Sequence, residues 1–158
     1  MSMAEPPGLT YGVIYGRYAS KEALTADALT HAFDTFNQFM ANGAGSDKPS
    51  LASQLDYFLS TQHRDNLETG CPITALVGEI SRGEPELSSR FAIGYSGLVA
   101  AFRRHLPPGS LKFDPDQTAR TLVAALVGAV AVARATSKAD SELSERILRG
   151  ARSALSEL

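Results

Sequence analysis

Apolar residues recur every three or four positions along most of this chain, and that spacing fits helices and little else. Strand-like alternation is absent. The repeats are broken by NGAGSDKP, GEPEL and LPPGSLKFDPD, which divide the chain into helical segments. A short helix is expected from about Thr10 to Tyr18. Ser20 suits the N-cap of a longer one carrying Leu24, Leu29, Phe33, Phe36 and Met40 on one side. Further helices are expected over about Pro49 to Leu59, Cys71 to Arg82, Pro85 to His105, Pro115 to Ala135 and Ser141 to Glu157. STQHRDNLETG between them reads as a loop with one helical turn. The final helix shows a stripe of Leu143, Ile147, Ala151, Ala154, Leu155 and Leu158. The expected fold class is all-α, with about seven helices in 158 residues, enough for one sizeable core.

Charge and cysteine usage narrow the function. A formal net charge of −2 gives no broad basic surface for nucleic acid, so any DNA contact would be local. One cysteine, Cys71, excludes an intrachain disulfide and makes a reducing cytoplasm the default expectation. MSMAEPPG lacks a signal-peptide pattern. The most apolar stretch, Thr121 to Ala135, is shorter than the roughly 20 residues of a membrane span. Arg120 flanks it and Arg134 interrupts it, so it reads as a buried helix with no membrane role.

Residues 8 to 24 read GLTYGVIYGRYASKEAL. Gly8 permits a tight turn and Thr10 can cap the helix that follows. Ser20 and Lys21 open the next helix, where the positive end and an ammonium group suit a phosphate oxygen. The run resembles the end of the helix-turn-helix in the TetR family of bacterial transcriptional regulators, with Tyr18 where that family usually has Phe. HRDNLETGCPITALVGEISR, residues 63 to 82, is similar to a segment of many ligand-binding domains in the family. The apolar penultimate helix and amphipathic last helix resemble its dimer-forming pair. The resemblance covers essentially the whole chain. It implies a cytoplasmic homodimeric repressor in which a small-molecule effector releases operator DNA. It places Tyr11, Gly12 and Arg17 near base edges, and Thr10, Tyr15 and Lys21 near phosphates.

The departure lies at the start. Only MSMAEPP precedes Gly8, and seven residues with a Pro-Pro pair do not make two helices. About 35 to 40 residues of a complete DNA-reading domain are wanting by this comparison. The expected organisation is therefore a helix-turn-helix remnant over 1–19 and an effector-binding and dimerisation domain over 20–158. Operator DNA would be a partner of a full-length parent. An alternative is a protein that pairs with an intact relative without touching DNA; another is a redox or electrophile sensor built on Cys71. No enzyme activity and no cofactor are expected.

Candidate sites divide in three. Phe36, Leu55, Phe58, Leu76, Phe91, Tyr95, Leu98 and Phe102 could line an effector pocket or simply form core. Tyr95 is the most attractive of them, because a buried phenol wants a partner. Leu122, Leu126, Val130, Leu143, Ile147 and Leu155 offer more apolar surface than one small domain easily hides. With Gly128 nearby, two copies could form a four-helix interface. Cys71 at a helix N-terminus could be a thiolate or a small buried residue. His63, Arg64 and Asp65 spell HRD, but Gly70 stands where a kinase loop needs asparagine, so a hydrogen-bonded turn is expected. His31, His63 and His105 form no metal motif and read as solvated or hydrogen-bonded side chains.

Overall fold

The computed structural model describes residues 18, 20–66, 70–106 and 114–157. They form seven helices: α1 (Lys21–Ala41), α2 (Leu51–Phe58), α3 (Thr61–Asp65), α4 (Pro72–Ile80), α5 (Pro85–Arg103), α6 (Pro115–Thr136) and α7 (Ser141–Leu155). No strand occurs among the described residues, so the all-α expectation holds. The expected helix over Thr10 to Tyr18 falls almost wholly outside them, with Thr10, Tyr11, Gly12, Tyr15 and Arg17. Leu158 also lies outside.

Local chemistry sets the helix starts. Ser20, in extended conformation, accepts a hydrogen bond from the Ala23 amide and caps α1. Ser50 and Ser53 exchange side-chain and backbone bonds in a capping box at α2. Ser60 caps α3, Asp114 caps α6 and Asp140 caps α7. Proline opens α4, α5 and α6, where its missing amide would have had no helical partner anyway. α1 ends in Gly43, Ala44 and Gly45, all at positive φ. A side chain at Gly43 would collide with Pro49.

The three long helices α1, α5 and α6 carry most of the core, and α7 packs along α6. Phe33, Met40, Leu55, Phe58, Leu98, Phe102, Leu122 and Leu126 are its largest enclosed apolar side chains. Burial of each contributes about 1.5–3 kcal/mol before entropy is set against it. Arg64 on α3 ties the short helices in. Its guanidinium pairs with both Asp65 carboxylate oxygens at 2.7 and 2.8 Å and donates to Ser144 Oγ at 2.9 Å. Ser144 Oγ donates in turn to the Ala133 carbonyl, and Arg134 Nε donates to the Arg64 carbonyl.

Two expectations about facing change here. On α7 the buried residues are Ser144 and Leu148; Leu143 and Ala154 are exposed, and Ile147, Ala151 and Leu155 are half-buried. The inward stripe therefore runs one position later than the apolar residues suggest, because Ser144 is satisfied by hydrogen bonds inside. On α6, Leu122, Leu126 and Val130 are enclosed in the chain's own core. They have no free surface to offer a second copy.

Candidate functional site

A cleft with a volume of about 530 Å³ lies between α1, α2 and the start of α4. Its α1 wall is His31, Ala32, Thr35, Phe36 and Phe39, and Tyr57 and Gly70 close the other side. Phe39 and Tyr57 meet edge to face, with centroids 4.9 Å apart. Burial pushes the Tyr57 phenol above its ordinary pKa.

Behind this wall sits His63. Its ring stacks on Phe36 at 5.8 Å and lies 5.0 Å from Tyr57 and 4.7 Å from Phe58. It is buried, and neither ring nitrogen has a hydrogen-bond partner among the described residues. Burial lowers its pKa to about 4, assisted by the positive Arg134, so it is neutral at pH 7. The sequence reading of a solvated or hydrogen-bonded histidine does not hold for it. His31 is exposed, and His105 is half-buried with Nε2 3.4 Å from the Ala41 carbonyl.

Of the eight residues proposed for an effector pocket, only Phe36 lines this cleft. Phe58, Leu98 and Phe102 are packed core, and Leu55 reaches only a smaller groove between α2 and α7. Leu76, Phe91 and Tyr95 are half-buried against the core. The Tyr95 hydroxyl does find its partner, the Arg120 carbonyl at 3.0 Å, beside a groove of about 220 Å³ between α5 and α6. His31, Thr35, Phe39 and Tyr57 were not anticipated. The available signal was the spacing of His31, Thr35 and Phe39, one turn apart and offset from the core stripe.

Cys71 precedes α4 and is 1% exposed. Burial raises its thiol pKa, and hydrogen bonds from the Thr74 and Ile73 amides only partly oppose that. Desolvation outweighs the helix N-terminus, and the thiol stays protonated at neutral pH. No group of three or more His, Cys, Asp or Glu among the described residues is arranged to hold a metal ion.

The second notable feature is the outer side of α6 and α7. α6 is long and apolar enough to cross a membrane by length and composition. Its most apolar window has mean hydropathy 1.5, yet only 39% of that window is buried within the chain. Thr121, Ala125, Gly128, Val132 and Ala135 are exposed along it, and Leu143, Gly150 and Ala154 on α7. A Cβ added at Gly128 or Gly150 would meet nothing within 4 Å.

No protein-family model matches the chain, and no curated protein matches its sequence.

Proposed function

We propose that this chain is the effector-binding and pairing unit of a TetR-like transcriptional regulator and works as a homodimer. One observation carries the reading: in a 22-residue apolar helix, α6, only 39% of the most apolar window is buried in the chain's own core, and a line of small and apolar residues stays exposed. A soluble domain gains little by exposing such a face unless a partner covers it. Glycines with open space above them let a second helix approach closely, and a two-fold axis would pair α6 and α7 with their copies. The contact would involve Val132, Gly128, Leu143 and half-buried Ile147 rather than Leu122, Leu126 and Val130.

The aromatic cleft supports the effector half of the reading. Its main wall is α1, and α1 begins inside the stretch that resembles a DNA-reading unit. A ligand favouring one position of α1 would alter the spacing of two paired recognition helices and hence their fit to DNA half-sites. The buried, protonated thiol counts against the Cys71 sensor.

Sedimentation equilibrium of the pure chain tests pairing. A mass twice that of the chain is expected, falling to one chain in Val132→Glu, which keeps its helical circular dichroism. Regulation is tested by joining residues 20–158 to a complete helix-turn-helix domain of known operator. Operator binding should require the intact pairing face. Operator binding indifferent to Val132→Glu, or a native chain that stays single at micromolar concentration, overturns the proposal.

A further inference from the structure

We infer that the ligand of this protein is a small, uncharged, mainly aromatic molecule with hydrogen-bonding groups along one edge, held between α1 and Tyr57. The inference rests on the effector-binding reading above and fixes its site and chemistry. An apolar cavity of about 150 Å³ holds one benzene, so a cleft of about 530 Å³ has room for roughly two or three rings. Phe36, Phe39 and Tyr57 offer ring faces and edges to stack on. None of the described lining residues is Asp, Glu, Lys or Arg, so nothing there is built to neutralise a charged ligand.

The polar groups are few and free. Thr25 and Thr30 on α1 give their hydroxyls to the carbonyls one turn back. Thr35, on the same helix, makes no hydrogen bond among the described residues, and neither do the His31 ring and the Tyr57 hydroxyl. The three stand around one cleft. Together they supply a hydroxyl, a phenol and an imidazole, each able to donate or accept. A few convergent polar groups on an apolar wall are what orients a small molecule in a pocket.

The test uses phenylnaphthylamine, a neutral two-part aromatic fluorophore with one N–H, and its sulfonated analogue anilinonaphthalene sulfonate. The native chain should bind the neutral probe saturably, at least about tenfold more tightly than the anion. Thr35→Trp, at an exposed position, should fill the cleft and weaken the neutral probe about tenfold or more. Ser153→Trp, in the groove between α2 and α7, should leave it unchanged. Saturating probe should also shift the imidazole NMR signals of His63 in the native chain, since Phe36 and Tyr57 both line the cleft and touch that ring. Tighter binding of the anion, no effect of Thr35→Trp, or unmoved His63 signals at saturation overturns the inference. The dimer mass is measured separately, so loss of this site leaves the pairing proposal standing on its own result.

Discussion

Phe33 of α1 packs its ring against α5 at Gly94. A Cβ built on Gly94 would stand 2.1 Å from the Phe33 ring. The same contact is fixed by Asn37, whose Nδ2 donates to the Gly94 carbonyl at 2.9 Å. α1 and α5 form the most extensive helix pair in the fold, and Phe33 is 2% exposed. Gly94→Ala must therefore push the two helices apart or force Phe33 from its rotamer. The expected loss is about 3 kcal/mol, at the upper end of overpacking costs and larger than the helix-propensity gain. Urea unfolding of the variant checks it. An unchanged midpoint would show that α1 and α5 are not so closely packed.

His63 makes stability depend on pH. Its folded pKa, about 4, lies below the ordinary histidine value of 6.5 because burial and Arg134 disfavour the cation. Between those values the unfolded chain binds more protons than the folded one. Stability contributed by neutral His63 is complete above about pH 6.5 and is lost progressively as pH falls towards 4. The full effect is about 3 kcal/mol. His63→Leu removes the titration and both unpartnered nitrogens. Its unfolding midpoint should be nearly flat from pH 6.5 to about 5, where the native chain's falls. Equal slopes for the two proteins would show that His63 is not enclosed in this way. Asp65 adds the same sign only in stronger acid, since its hydrogen bonds from Arg64 hold its carboxyl below the usual range.

The helix ends were legible because their signals are local. Pro72, Pro85 and Pro115 start helices by fixed φ, and Ser20, Asp114 and Asp140 cap by hydrogen bonds reaching three residues. Facing was less legible. Leu122 and Leu126 look the same in sequence whether covered by their own chain or by a copy. Ser144 reads as a surface residue until Arg64, 80 positions earlier in the chain, and the Ala133 carbonyl satisfy its hydroxyl. The cleft escaped for a related reason. Its residues lie beside the core stripe of α1, and the approach of Tyr57 from α2 and of Gly70 ahead of α4 turns that face into a concavity. His63 carries no sequence mark of burial, because the three rings enclosing it come from α1 and α2.

Ser144 is therefore a joint rather than a surface residue. It accepts from Arg64 at 2.9 Å and donates to the Ala133 carbonyl at 2.6 Å, connecting α3, α6 and α7. Ser144→Ala leaves a guanidinium N–H and a carbonyl without that partner inside the fold. The expected cost is about 1–3 kcal/mol. Arg64→Met in the same background should cost less than it does alone, since its bond to Ser144 is already gone and only its pair with the Asp65 carboxylate remains to be lost. A double-mutant cycle by urea unfolding measures this; strict additivity would mean the two side chains do not act together.

Gly128 distinguishes a lone chain from a paired one by the sign of a single substitution. Inside one chain nothing stands within 4 Å of a Cβ added there. Alanine in a helix interior is favoured over glycine by about 1 kcal/mol, so Gly128→Ala should stabilise an isolated chain by that amount. If α6 packs closely on its copy, the added methyls meet across the two-fold axis and weaken association while the propensity gain remains. Pairing thus predicts a weaker dimer, by sedimentation equilibrium, built from chains that individually resist urea better. Because dimerisation itself adds to apparent stability, the unfolding midpoint should also depend on protein concentration in the native chain and less so in Gly128→Ala. A simple gain in stability, with no change in mass and no concentration dependence in either protein, would mean that the apolar side of α6 faces solvent and that no second copy sits there.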